Sequence, residues 1–117
     1  MELDAVIREL ERVRRECATK DWDGYNADPV REESYSSAMQ FAQLLPSAVP
    51  SPEVYATPDG DVCFEWYETK NKVFTVGVGD RKCYYAGLFG TEKFYGKADF
   101  QEGIPDEILN SIKRFYT

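Results

Sequence analysis

The sequence predicts an α+β fold: two N-terminal helices, an antiparallel meander of four to five strands, and a C-terminal helix. The helices are expected mostly on one face of the sheet. Three observations carry this. Apolar residues recur at helical spacing until about residue 45. Beyond "PSAVPSP" the apolar period falls to two, with turn residues between the runs. Helical spacing then returns near the C-terminus. A run of strands flanked by helices is the layout of an antiparallel sheet with helices gathered against it. The 117 residues suit a single domain, 1–117.

The elements follow in order. Leu3, Val6, Ile7, Leu10, Val13 and Cys17 form one stripe of a helix over about residues 2–18. Glu and Arg fill its other face, where a pair such as Glu9–Arg12 adds a few tenths of a kcal/mol. A second helix is expected over about residues 29–45, with Asp28 as its cap and Pro29 at its first position. Tyr35, Ala38, Met39, Ala42 and Leu45 make its stripe, widened by Phe41 and Leu44. Three prolines in Pro46–Pro52 stop the helix and form a fixed elbow.

"EVYAT" is then a short strand and "PDG" a turn. In "DVCFEWYE", Val62, Phe64 and Trp66 share one face, and Cys63, Glu65 and Tyr67 the other. "KVFTVGVG" aligns Phe74, Val76 and Val78. "KCYYAGLFG" and "EKFYGKADF" complete the meander, and Gly77, Gly79, Gly87, Gly90 and Gly96 suggest bulges or close backbone approach. A last helix is expected over about residues 105–116, with Ile108, Leu109, Ile112 and Phe115 toward the sheet.

The stretch "KDWDGYNADPV", residues 20–30, invites a metal reading. A calcium loop needs oxygen donors at its first, third and fifth positions, glycine at the sixth and Glu at the twelfth. Starting at Asp21 supplies Asp23 and Glu32 but puts Tyr25 fifth and Asn26 sixth. Starting at Thr19 places Gly24 correctly but ends on Val30. No metal is expected. A corner explains the residues better: Asp23-Gly24 turns the chain, and Trp22 and Tyr25 fold back as plugs. If Trp22, Asp23 and Tyr25 point outward instead, they form a recognition tip.

Net charge is −7, from 21 acidic and 14 basic residues. That argues against direct nucleic-acid binding, which needs clustered Lys and Arg. It also argues against adsorption to an anionic membrane. It suits a partner protein with a basic surface. There is no histidine, so Ser-His and Cys-His catalysis are excluded. Cys17, Cys63 and Cys83 are widely spaced and form no C-x-x-C, so they read as core residues of a cytoplasmic protein. No phosphate-loop or dinucleotide motif occurs, and no cofactor is expected.

Trp22-Asp23-Gly24-Tyr25, Ala38, Phe41, Leu45-Pro46, Pro52, Asp59-Gly60 and Glu65-Trp66 together resemble a pattern of short, uncharacterised bacterial proteins. "YYAGLFG", residues 84–90, is similar to a later strand of that family. The resemblance covers about residues 20–90 and implies a bacterial or phage cytoplasmic origin. It implies no activity, cofactor or catalytic residue.

Two functional expectations remain. One is a non-enzymatic protein-binding domain, of the kind found among antitoxins, immunity proteins and phage inhibitors of defence complexes. The other is an enzyme or small-ligand binder with a pocket between sheet and helices. Trp66, Tyr67, Tyr84 and Tyr85 would line that pocket, and Glu65 or a cysteine would supply the chemistry. The missing catalytic motifs favour the first.

Overall fold

A computed structural model describes residues 1–101 and 103–114. The chain runs α1 (Leu3–Glu16), α2 (Glu32–Leu44), β1 (Glu53–Ala56), β2 (Val62–Thr69), β3 (Lys72–Val78), β4 (Lys82–Phe89), β5 (Glu92–Asp99) and α3 (Asp106–Lys113). The five strands form one antiparallel meander in the order β1-β2-β3-β4-β5. This is the predicted α+β architecture. No helix among the described residues is long and apolar enough to cross a membrane.

The core lies between the helices and one face of the sheet. α1 buries Val6, Leu10 and Val13, and packs on α2 and β1. α2 buries Tyr35, Ala38, Phe41 and Ala42 against β2 and β3. Phe41 is the centre of an aromatic cluster, 5.0 Å from Phe64 and 5.6 Å edge-on from Phe100. α3 adds Ile108 and Ile112 to the same core. Leu109 is half-buried. Phe115 and Tyr116 lie outside the described residues.

Two serines fasten α2 to the end of the sheet. Ser34 is fully buried; its Oγ donates to Val78 O at 2.5 Å and accepts from Val62 N at 2.9 Å. Ser37 Oγ accepts from Arg81 N at 2.8 Å. One hydroxyl thus closes the β2 and β3 ends together, satisfying groups whose burial would otherwise cost about 1–3 kcal/mol each.

The second helix differs from expectation at its start. It begins at Glu32, with Arg31 as the flanking residue and no side-chain cap. Asp28 and Pro29 lie outside it. The backbone there is already committed: Asp28 N donates to Pro58 O, Val30 N to Cys17 O and Arg31 N to Gly60 O. These bonds hold the segment extended between two loops, which the fixed φ of proline tolerates. The Asp28 carboxylate accepts from Lys20 Nζ at 2.7 Å instead.

Among the described residues the sheet's one register shift lies between Tyr67 and Thr69, not at a glycine. Close approach is what the strand glycines supply. A Cβ on Gly87 would sit 2.2 Å from the Phe94 ring, its direct cross-strand partner. Phe94 in turn stacks at 5.7 Å on Phe89.

Candidate functional site

Among the described residues, no helix covers the second face of the sheet. The register orders it in rows. Tyr55, Cys63, Gly77, Tyr84 and Lys97 form one row across β1 to β5. Glu53, Glu65, Thr75, Ala86 and Tyr95 form the next. Tyr67, Val73, Leu88 and Lys93 form the third. Tyr55, Tyr67, Tyr84 and Tyr95 are all exposed here, Tyr95 at 88% and Tyr67 at 58%. A shallow groove of about 560 Å³ runs along Thr75, Tyr84, Ala86, Tyr95 and Lys97. It continues past Val73, Leu88 and Lys93 through the shared Thr75, Ala86 and Tyr95.

One end of this face is tied to the β1–β2 loop by side chains. Tyr84 lies over Gly77, where a Cβ would meet its ring at 2.2 Å. Its hydroxyl donates to Asp61 Oδ2 at 2.8 Å. Asp61 Oδ1 takes a short charge-assisted bond from Arg31. Thr57 N donates to Asp61 O at 2.8 Å, closing the β1–β2 loop. Burial first, and the Asp61 carboxylate second, push the Tyr84 hydroxyl above its ordinary range. Tyr55 is pushed up likewise, by burial and then by the Cys63 side chain beside it. Burial also raises the Cys63 thiol, so it is protonated and not nucleophilic near neutral pH.

The expected pocket residues do not converge. Glu65 and Tyr67 lie on the open face, as does Tyr84. Trp66 and Tyr85 point to the covered face. Trp66 is buried; its Nε1 donates to Pro50 O at 2.7 Å, and its ring packs 6.1 Å from Phe74. Tyr85 lies over Gly96 and 6.1 Å from Phe74.

The corner also divides its residues. Trp22 packs against the core, with Nε1 donating to Asp28 O at 2.7 Å. Tyr25 is 88% exposed. Asp21 Oδ1 accepts from Asn26 N at 2.6 Å. Asp23 Oδ1 accepts from Tyr25 N at 2.8 Å and Ala27 N at 3.0 Å. The carboxylates thus satisfy turn backbone, and Gly24 takes a φ of +78°. Among the described residues, no group of three or more Cys, Asp or Glu is placed to hold a metal ion.

Sequence reasoning missed Tyr95, Lys93 and Lys97 on the open face. The signal was available: once Phe94 faces inward, the period of two sends Lys93, Tyr95 and Lys97 outward together. Comparison with protein-family models, with curated proteins and with solved structures finds no match to this chain.

Proposed function

We propose that this protein is a cytoplasmic, non-enzymatic protein-binding domain that docks through the open face of its sheet. The observation that supports this is the grouping of four exposed tyrosines on that face, around Val73, Thr75, Ala86 and Leu88. Tyrosine joins a rigid apolar body to a polar tip and is enriched in protein interfaces. The solvated face of an antiparallel sheet is ordinarily polar. Its acidity and the absent catalytic motifs favour the class of antitoxins, immunity proteins and phage-type inhibitors, acting on protein rather than directly on nucleic acid.

The test is affinity capture from the source organism with tagged wild type and with the Tyr67→Ala/Tyr95→Ala variant, both checked for an unchanged fold by circular dichroism. A protein recovered stoichiometrically with wild type and lost with the variant is the expected result. Identical recovery with both would sink the reading.

A further inference from the structure

We propose that the open face is the interface of a symmetric dimer, so that its occupant is a second copy of this chain. This rests on the reading of that face as a docking surface. The arrangement of charge on the face identifies the partner.

The chain carries −7 overall, yet its open face is balanced. Glu53 and Glu65 stand on β1 and β2, and Lys93 and Lys97 on β5. Between them β3 and β4 present uncharged residues. Lys82 and Asp99, at the end of the face, pair directly with each other in the register. Asp61 is held by Arg31. The acidic surplus therefore lies elsewhere, and a partner chosen for its basic charge would not find its complement here.

What the face does complement is itself. Two sheets packed face to face run nearly aligned, about 10 Å apart. A two-fold axis parallel to the strands beneath β3 lays β1 of one copy over β5 of the other, and β2 over β4. Positions along the strands are preserved, so Glu53 falls opposite Tyr95. The strand neighbours two residues either side of Tyr95 are Lys93 and Lys97. Each Glu53 is thus set between two lysines of the other copy, and symmetry makes the contact twice. Glu65 falls over Ala86, one strand from the same lysines, and Tyr67 falls over Leu88. The alternative axis, across the strands, would lay β1 over β1 and set acid on acid. Charge selects between the two arrangements. Five strands about 4.8 Å apart and three side-chain rows, the third spanning four strands, give a face of at most roughly 24 by 20 Å. Side-chain relief brings that toward the ~800 Å² per partner of a standard interface.

The test uses the full chain in sedimentation equilibrium from micromolar to millimolar concentration. Wild type is expected at twice 13.4 kDa. Glu53→Lys/Glu65→Lys and Lys93→Glu/Lys97→Glu should each weaken self-association by about 10-fold or more, because like charges then face each other. Mixed in equal amounts, the two variants should form a 1:1 heterodimer, since every contact becomes Lys–Glu again. All the replaced side chains are at the surface, and a circular dichroism melt checks that each variant is folded; a single Lys97→Glu replaces any that is not. A wild type that stays monomeric, reversals that still self-associate, or variants that do not combine would each overturn the dimer. A monomer that loses capture of a different protein on Tyr67→Ala/Tyr95→Ala would overturn it while leaving the docking reading standing. A monomer whose Tyr84 and Tyr95 bind single-stranded oligonucleotide would overturn both.

Discussion

On β2, Phe64 and Trp66 point toward the helices, and their immediate neighbours Glu65 and Tyr67 point away. The same contrast recurs on the neighbouring strands, except where Cys63 and Gly77 are buried on the open face beside Tyr55 and Tyr84. The covered face carries Val54, Phe64, Phe74, Val76, Val78 and Cys83, all buried. The open face carries tyrosine, lysine, glutamate and threonine, none of them buried, with Tyr67 and Tyr95 the most exposed tyrosines of the face. One backbone thus supports two surfaces with different duties. On the covered face, packing sets each residue, because interiors tolerate neither voids nor overlap. On the open face no core packing among the described residues sets Tyr67 or Tyr95, which are largely exposed. That lack of an internal reason is why the open face, and not the aromatic core, is the candidate for contact with another molecule.

The contrast is broken most severely by truncation. Phe64→Ala removes a fully buried ring from the cluster with Phe41 and is expected to cost about 3–5 kcal/mol. Tyr95→Ala, on β5 and facing out, is expected to stay within about 0.5 kcal/mol of wild type at a concentration low enough to keep both monomeric. Urea unfolding measures both. A Tyr95→Ala loss as large as a core truncation would mean that the open face serves folding after all.

A sharper comparison uses two glycines, each covered by its cross-strand aromatic partner. Gly87 lies under Phe94 on the covered face, and Gly77 under Tyr84 on the open face. Both Cβ positions would meet a ring at 2.2 Å. Phe94 is hemmed in by Phe74 and Phe89, so Gly87→Ala forces overpacking, at about 1–3 kcal/mol. Tyr84 can swing into solvent, losing its bond to Asp61, which costs about 1 kcal/mol. Gly87→Ala should therefore shift the urea midpoint further than Gly77→Ala. The reverse order would show the Tyr84–Asp61–Arg31 link to be stiffer than the core beside Phe94.

The sequence made the covered face legible because burial imposes a period: Val62, Phe64 and Trp66 could be assigned to one side without any partner being known. The open face was half legible. Glu65 and Tyr67 follow from the same alternation, but Tyr84 and Tyr85 are adjacent tyrosines, and chemistry alone does not say which faces out. Their strand partners decide it: Tyr85 stands opposite the buried Val76, and Tyr84 opposite Gly77 and Lys97. Side chain to backbone ties across the fold were not legible at all. Ser34 joins α2 to residues 28 and 44 positions away, and nothing local marks it. Asp28 shows the same limit in reverse. It had every local feature of a cap, but backbone bonds to distant loops moved the helix start to Glu32.

The smallest expected effect sets Cys83, on the covered face, against Tyr84, on the open face, by pH. Burial pushes the Cys83 thiol, on the covered face, up to about 11, and the charges of Asp99 and Glu107 add to it. An unfolded cysteine titrates near 9.0. Between these values the unfolded chain releases a proton that the folded chain keeps. Stability is therefore whole below about pH 9 and falls as pH rises through about 11. Tyr84, on the open face, acts in the same direction but only above the ordinary tyrosine value of 10.0. Urea midpoints at half-unit steps from pH 8 to 11 should show Cys83→Ala flattening the decline already between pH 9 and 10. Tyr84→Phe should leave that interval unchanged and flatten only what lies above it. Cys17 and Cys63 are also pushed up by burial, so Cys83→Ala reduces the slope without abolishing it. Equal slopes for wild type and Cys83→Ala between pH 9 and 10 would show that the covered face admits enough water to solvate a thiolate. The division between a dry face and a wet one would then fail at β4.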